Sequence, residues 1–297
     1  MFAIKNRKKF WDGMTGLLMI APMTLLLSIF AITPLVSAIK VSFENWSFYQ
    51  PPEFVGFHNY YLVLTDNRFF KSIVVGIKYA ITVVSCGFVV AFFFSHVLKH
   101  LSTRISSFVK TSIYIPTIIS GIIVSMIFMF IFQYPSGLLN TVVKSFGSSP
   151  IPWLANPQYA LTSISISGMW MGFGFTSLLM LAGLNDIPKS YYEAASLDGA
   201  GFLKQMWHIT IPSMRNTFVF IVITGFSGAL QVFDLPFLMT QGGPLDRTLT
   251  PILFIYQHFK NDVTLGYTLA ASVVVFIVLG TISAAIFKVI KSEKFVD

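Results

Sequence analysis

Six stretches of this chain, each more than 20 residues of nearly unbroken apolar sequence, restrict what it can fold into. They fall at about 16–39, 72–98, 109–132, 160–184, 217–239 and 266–290. A bilayer's hydrocarbon core is about 30 Å thick and a helix rises about 1.5 Å per residue, so about 20 apolar residues suffice to cross it. In lipid the backbone must satisfy its own hydrogen bonds, which favours helices. A membrane barrel would show short alternating strands, whereas these runs are apolar on every side. The sequence therefore predicts an all-α integral membrane protein with six transmembrane helices in a single domain covering 1–297.

Composition agrees. Only 11% of the residues are charged, 55% are hydrophobic and the mean hydropathy is +0.73. Soluble domains carry roughly 25% charged residues. A soluble enzyme, a disordered chain and a nucleic-acid-binding module are all excluded. The net charge of +8 comes from 20 basic residues spread thinly along 297 positions, as basic loops facing a cytoplasm would be. The single cysteine, Cys86, permits no internal disulfide and does not report a redox compartment. Lys5, Arg7, Lys8 and Lys9 precede the first stretch in the manner of a signal peptide, but its apolar run is too long for one and no small-residue cleavage pattern follows. It reads as a retained span, bent by Pro22 and Pro34.

Basic residues set the orientation. With the N-terminus inside, 13 Lys and Arg lie in the inner regions, Lys294 among them, and 6 in the outer ones, with Lys78 inside the second stretch. The chain is therefore N-in and C-in. The outer loops carry turn signals such as Pro51-Pro52 and Gly242-Gly243-Pro244. Trp46, Phe48, Tyr49 and Tyr134 sit at span edges as an interfacial aromatic belt.

The inner connection at 185–214 is unlike a linker. Pro188 ends the fourth stretch, and Ser190 with Glu193 three residues on reads as a capping box opening a short helix from Tyr191 to Leu197. Gly199 supplies a positive-φ turn. A second short helix, Ala200 to Ile209, places Phe202, Met206 and Ile209 on one side and ends before Pro212. An amphipathic element lying on lipid headgroups is the plain alternative. The sharper one is a docking surface for a cytosolic partner, because Ala194, Ala195 and Gly199 allow close approach.

The run EAASLDGAG…ITIP, Glu193 to Gly201 and then Ile209 to Pro212, resembles the "EAA" loop of ABC importer permeases. FVGFHNY at Phe54 to Tyr60, Phe43 in SFENW, Ala182-Gly183-Leu184 and QVFDLPFLMTQGGP at Gln231 to Pro244 are similar to the carbohydrate, maltose-permease-like branch. The likeness covers most of the chain from Leu17 onward, in the shorter six-span form of that subunit. It implies a type I ABC importer permease fold in a bacterial or archaeal cell membrane. It also implies a second homologous permease subunit, two copies of a cytosolic ABC ATPase that bind ATP and Mg, an extracytoplasmic solute-binding protein and a sugar cargo. On the same resemblance, Glu193, Ala194, Ala195, Asp198, Gly199, Ala200, Gly201, Phe202 and Met206 meet the ATPase. Glu193 would pair with an ATPase Arg, and Ala200 to Met206 would seat in its cleft. For Glu193 a capping-box role, and for Asp198 a turn role, are the plain alternatives.

Segment 4 is rich in small and hydroxyl residues, and Gly168 with Gly172 forms a GxxxG suited to close helix packing. A sugar path needs the same features, since hydroxyls require hydrogen-bond partners and aromatic faces suit the apolar side of a sugar ring. Helical spacing puts Gly168, Met171, Gly172 and Phe175 on one face, and Gly225, Gly228, Ala229 and Val232 on a face of segment 5. By resemblance these faces match the substrate-lining positions of the maltose-type subunit, with Gly, Ala and Val standing where polar or aromatic side chains are expected. Trp170, Ser227 and Gln231 are neighbouring candidates. Asp234 reads as structural, near the Gly242-Gly243-Pro244 turn. The sequence holds no G-x-x-x-x-G-K-[ST], no H-E-x-x-H and no G-x-S-x-G, so no cofactor, metal or catalytic residue is expected in this chain and the energy must come from a partner. The alternatives are an ion-coupled secondary transporter, disfavoured by the lack of an intramembrane carboxylate ladder, and a non-transporting scaffold or receptor.

Overall fold

A computed structural model of the chain describes residues 2–47, 50–261 and 265–291. Phe48, Tyr49 and Lys294 lie outside them. The elements run α1 (Phe2–Leu27), a π turn (Ser28–Ile32), α2 (Thr33–Ser42), the antiparallel strands β1 (Glu44–Ser47) and β2 (Gln50–Phe54), α3 (His58–Thr65), α4 (Asn67–His100), α5 (Thr103–Ile118), α6 (Gly121–Ile131) and α7 (Leu138–Ser145). Then follow α8 (Ala160–Asn185), α9 (Lys189–Leu197), α10 (Phe202–Gln205), a second π turn (Met206–Thr210), α11 (Ile211–Ser213), α12 (Arg215–Leu230), α13 (Asp234–Met239), α14 (Pro251–Asn261) and α15 (Leu265–Lys291).

Among the described residues, five helical stretches are long and apolar enough to cross a membrane: Met14–Ser42, Asn67–His100, Ala160–Asn185, Arg215–Met239 and Leu265–Lys288. The sixth expected span is not one straight helix. α5 and α6 meet at a 100° bend. Pro116 removes a donor near the end of α5. Ser120 starts a new helix, its hydroxyl accepting from the Ile123 N–H. The fifth span is also interrupted, between Leu230 and Asp234. Pro236 has no N–H to offer the Val232 carbonyl, which instead accepts from the Thr250 hydroxyl at 3.0 Å.

The first span passes Pro22 without leaving the helix and widens only at the turn before Pro34. A proline ring crowds the carbonyl four residues back. Here the Thr33 backbone N–H and its hydroxyl both donate to the Ser28 carbonyl, closing a wider turn.

The contacts group the chain into two units. In the first, residues 1–65 with 258–274, the Asn59 amide donates to the Ser42 and Glu44 carbonyls at 2.9 and 3.0 Å. Phe43, Phe57 and Tyr60 form a ring cluster with centroids 5.1–5.9 Å apart, which gathers residues of the SFENW and FVGFHNY runs. In the second unit, residues 66–257 with 275–297, α4 packs along α8 and α12, α5 packs along α8, and α6 meets α13. Gly174 permits the α5–α8 approach, since a methyl group there would fall on the Ile113 carbonyl and lie 3.0 Å from Tyr114 Cα. In lipid, helix association rests on such close packing, because apolar surface gains little by leaving one apolar medium for another. Among the described residues, one buried cluster gathers Tyr79, Val124, Phe128, Phe132, Ile164, Leu235 and Met239, and another, nearer the α8–α12 connection, gathers Ala91, Phe92, Met180, Leu184, Ile187, Met214 and Ile221.

Candidate functional site: a glycine-walled cavity and a cytoplasmic loop

Within the second unit, α4, α8, α12 and the α12–α13 break line a half-open cavity of about 400 Å³. Seven of the expected path residues line it: Gly168, Met171, Gly172, Gly225, Gly228, Gln231 and Val232. Three do not. Trp170 packs edge-on against Phe128 at 5.6 Å, Phe175 points out of the bundle and is 42% exposed, and the Ser227 hydroxyl lies 3.2 Å from that of Ser283. A helix turns 100° per residue, so neighbours one step from a lining position face elsewhere.

The glycines divide into two kinds. A methyl group on Gly168 would strike the Tyr79 hydroxyl, and one on Gly225 would sit 3.4 Å from Val84. Those two are contact glycines. Gly172 and Gly228 meet nothing within 4 Å and face open space. The GxxxG of α8 is therefore half packing motif and half cavity wall.

Sequence reasoning missed the α4 side of the cavity, Tyr79, Val83, Val84, Gly87 and Phe88, because an apolar helix gives no periodic hint of which face is lined. It also misplaced Asp234. That residue begins α13 and lines the cavity, with its carboxylate against Gly121 at the start of α6 rather than at the Gly242-Gly243-Pro244 turn. The interruptions of the third and fifth spans bring these two helix starts together.

In the connection between the fourth and fifth spans, α9 begins at Lys189 with Pro188 as its N-cap, so Ser190 sits inside the helix and caps nothing. Proline's preset φ at the cap starts the helix two residues earlier than expected. The C-terminus is as expected. Gly199 takes φ +75°, its N–H donates to the Ser196 carbonyl at 3.1 Å, and the Ala200 N–H reaches back to Ala195 at 2.8 Å. This is a complete Schellman closure with Asp198 as C-cap. The second helix starts at Phe202, not Ala200, with Gly201 as an extended N-cap. It then widens into the Met206–Thr210 turn ahead of Pro212, as the first span widens ahead of Pro34.

The two short helices are tied together. The Gln205 amide donates to the Ser196 hydroxyl at 2.9 Å and to the Ala200 carbonyl at 3.0 Å, and the Tyr192 and Thr210 hydroxyls lie 2.9 Å apart. Tyr192, Met206 and Ile209 rest on the buried cluster around Met180 and Met214. Lys99, at the end of α4, donates to the Leu184 carbonyl at 2.8 Å and lies 5.4 Å from the Tyr192 ring centre. It thereby satisfies a carbonyl that the end of α8 leaves open. Glu193 and Ala194 face solvent, and Glu193 forms no ion pair among the described residues. Leu197, Phe202, Leu203 and Trp207 are exposed, Leu197 by 90%. Phe202, Met206 and Glu193 border a second cavity of about 350 Å³, between the loop and the end of α4.

The family model for the binding-protein-dependent transport system inner membrane component matches residues 83–293. This chain belongs to that family. It is thus a multi-pass permease component of an ABC transport system of the inner membrane. The sulfoquinovosyl glycerol transport system permease protein of Agrobacterium fabrum is 30% identical over 95% of this chain and 92% of its own. The trehalose/maltose transport system permease protein of Thermococcus litoralis is 29% identical over 96% and 97%. A bacterial ABC transporter chain involved in import of the acidic polysaccharide alginate has the same fold, with a TM-score of 0.80 at 20% identity over 99% of this chain and 100% of its own.

Proposed function

We propose that this permease carries a saccharide through the glycine-walled cavity, driven by a separate ATPase that docks on α9 and α10. Several relatives are named for saccharides, trehalose and maltose, lactose and arabinooligosaccharides among them, which supports a sugar as cargo. One solved relative was crystallised with a periplasmic protein bound to an alginate pentasaccharide, which supports delivery by an extracytoplasmic binding protein. The observation that carries the reading is a half-open cavity among the helices whose wall includes Gly172 and Gly228, with nothing within 4 Å of where a Cβ would stand on either.

The loop supplies the coupling. Its exposed Glu193 and Ala194 and its apolar Leu197, Phe202 and Leu203 suit an ATPase surface, while its inner side is pinned to the ends of α4 and α8. ATP and Mg are held by the ATPase, two copies of which serve this permease and a homologous second one. ATP shifts the bundle between inward- and outward-open states only as far as it binds them unequally. The loop's rigid seat passes that bias into the membrane.

Gly172→Trp tests the path. Uptake by the reconstituted transporter is expected to fall more than tenfold, while binding-protein-stimulated ATP hydrolysis and detergent yield stay within twofold of wild type. Uptake at the wild-type rate with an indole in that wall would overturn the path. Uptake that survives ATP depletion and collapses with an ionophore would overturn the ATP drive.

A further inference from the structure

The cavity holds a fixed acid and no fixed base. Asp234 lines it and forms no ion pair among the described residues, and none of the lining residues is Lys, Arg or His. Its position is built in. A methyl group on Gly121 would sit 2.6 Å from Asp234 Oδ2 and 3.0 Å from its Cβ, so the carboxylate occupies the space the glycine leaves free. Gly121 is the first residue of the 11-residue helix α6, whose free N–H groups favour negative charge beside them.

The other polar groups of the lining point the same way. The Thr176 and Thr224 hydroxyls donate to Gly172 and Phe220 carbonyls of their own helices at 3.0 and 2.7 Å. The Gln231 amide nitrogen donates to the Ser227 carbonyl at 2.9 Å. The two threonines have thereby used their one donor and offer the cavity oxygen lone pairs, while Gln231 keeps a second N–H beside its carbonyl oxygen. The Tyr79 hydroxyl is buried and packed against Gly168. The cavity is therefore rich in acceptors as well as negative.

We propose that Asp234 makes this cavity selective for uncharged saccharides, accepting hydrogen bonds from sugar hydroxyls and repelling acidic sugars. The inference rests on the cavity being the saccharide path. A neutral sugar brings an O–H donor at every hydroxyl, and two adjacent ones match the two oxygens of a carboxylate. A uronic acid brings a second acceptor-only anion up to this exposed carboxylate, and like charges repel.

Saturation-transfer NMR on the complete reconstituted transporter, without binding protein, reads the charge preference directly. The probes are a panel of neutral disaccharides and their uronic-acid counterparts at equal concentration. Wild type is expected to saturate at least one neutral sugar about tenfold more than its acidic partner. Asp234→Asn keeps the shape but removes the charge, and should bring the two within about twofold. Gly121→Ala, which displaces the carboxylate without touching it chemically, should do the same. Equal saturation in wild type, or a ratio that neither variant alters, overturns the charge inference while leaving the path intact. If no sugar is saturated, or Gly172→Trp leaves every signal unchanged, the saccharide path itself fails.

Discussion

The cavity and the loop between the fourth and fifth spans use glycine in opposite ways. In the cavity wall, Gly172 and Gly228 act by what they lack, since nothing lies within 4 Å of where a Cβ would stand. In the loop, Gly199 acts by what its backbone does, adopting φ +75° to close the Schellman turn that sets α9 against α10. The first kind is defined by volume and the second by conformation. Tolerance to substitution should therefore differ between them, and differ again from glycines at helix contacts.

The largest expected effect is at such a contact. Gly174→Val drives a branched side chain into the backbone of α5 at Ile113 and Tyr114, at a cost of about 3 kcal/mol or more. Yield of monodisperse protein in mild detergent should fall below a tenth of wild type, whereas Gly172→Ala, half a turn away on the same helix, should keep it. Equal yields would erase the distinction between packing and cavity glycines.

Gly199→Val comes next. A β-branched residue at that φ costs about 1–2 kcal/mol, which the loop can escape by giving up its turn. ATP hydrolysis should continue while uptake per ATP drops severalfold, with yield unchanged. Tight coupling in this variant would show that the turn geometry is dispensable.

Gln205→Ala is the mildest. It removes two hydrogen bonds joining the short helices, each worth about 0.5–1.5 kcal/mol. Amide exchange in α9 and α10 should quicken a few-fold while uptake falls by no more than about half. Unchanged exchange would mean that the Tyr192–Thr210 pair and the apolar seat hold the loop alone.

Much of this was legible in the sequence because lipid imposes a simple rule: long apolar runs become helices, and their ends carry the charges and turns. Gly199 was legible for a local reason, since Asp-Gly after an alanine-rich helix has few other uses. Helical spacing together with the family resemblance pointed to seven of the residues that line the cavity. What escaped were features set by neighbours. The 100° bend between α5 and α6 depends on Ser120 starting a helix inside a run whose hydropathy never falters. Asp234 could be placed only once two interrupted helices met, and Ser190 looked like a cap until Pro188 took that position.

Because Gly172 and Gly228 border open space on separate helices, their neighbours do not have to shift when either one grows. The bore can be narrowed carbon by carbon, through alanine, serine and valine, without repacking the scaffold. On the proposed path, cargo size is thus decoupled from the architecture that holds it, and a descendant could trade one saccharide for a smaller one by a single codon.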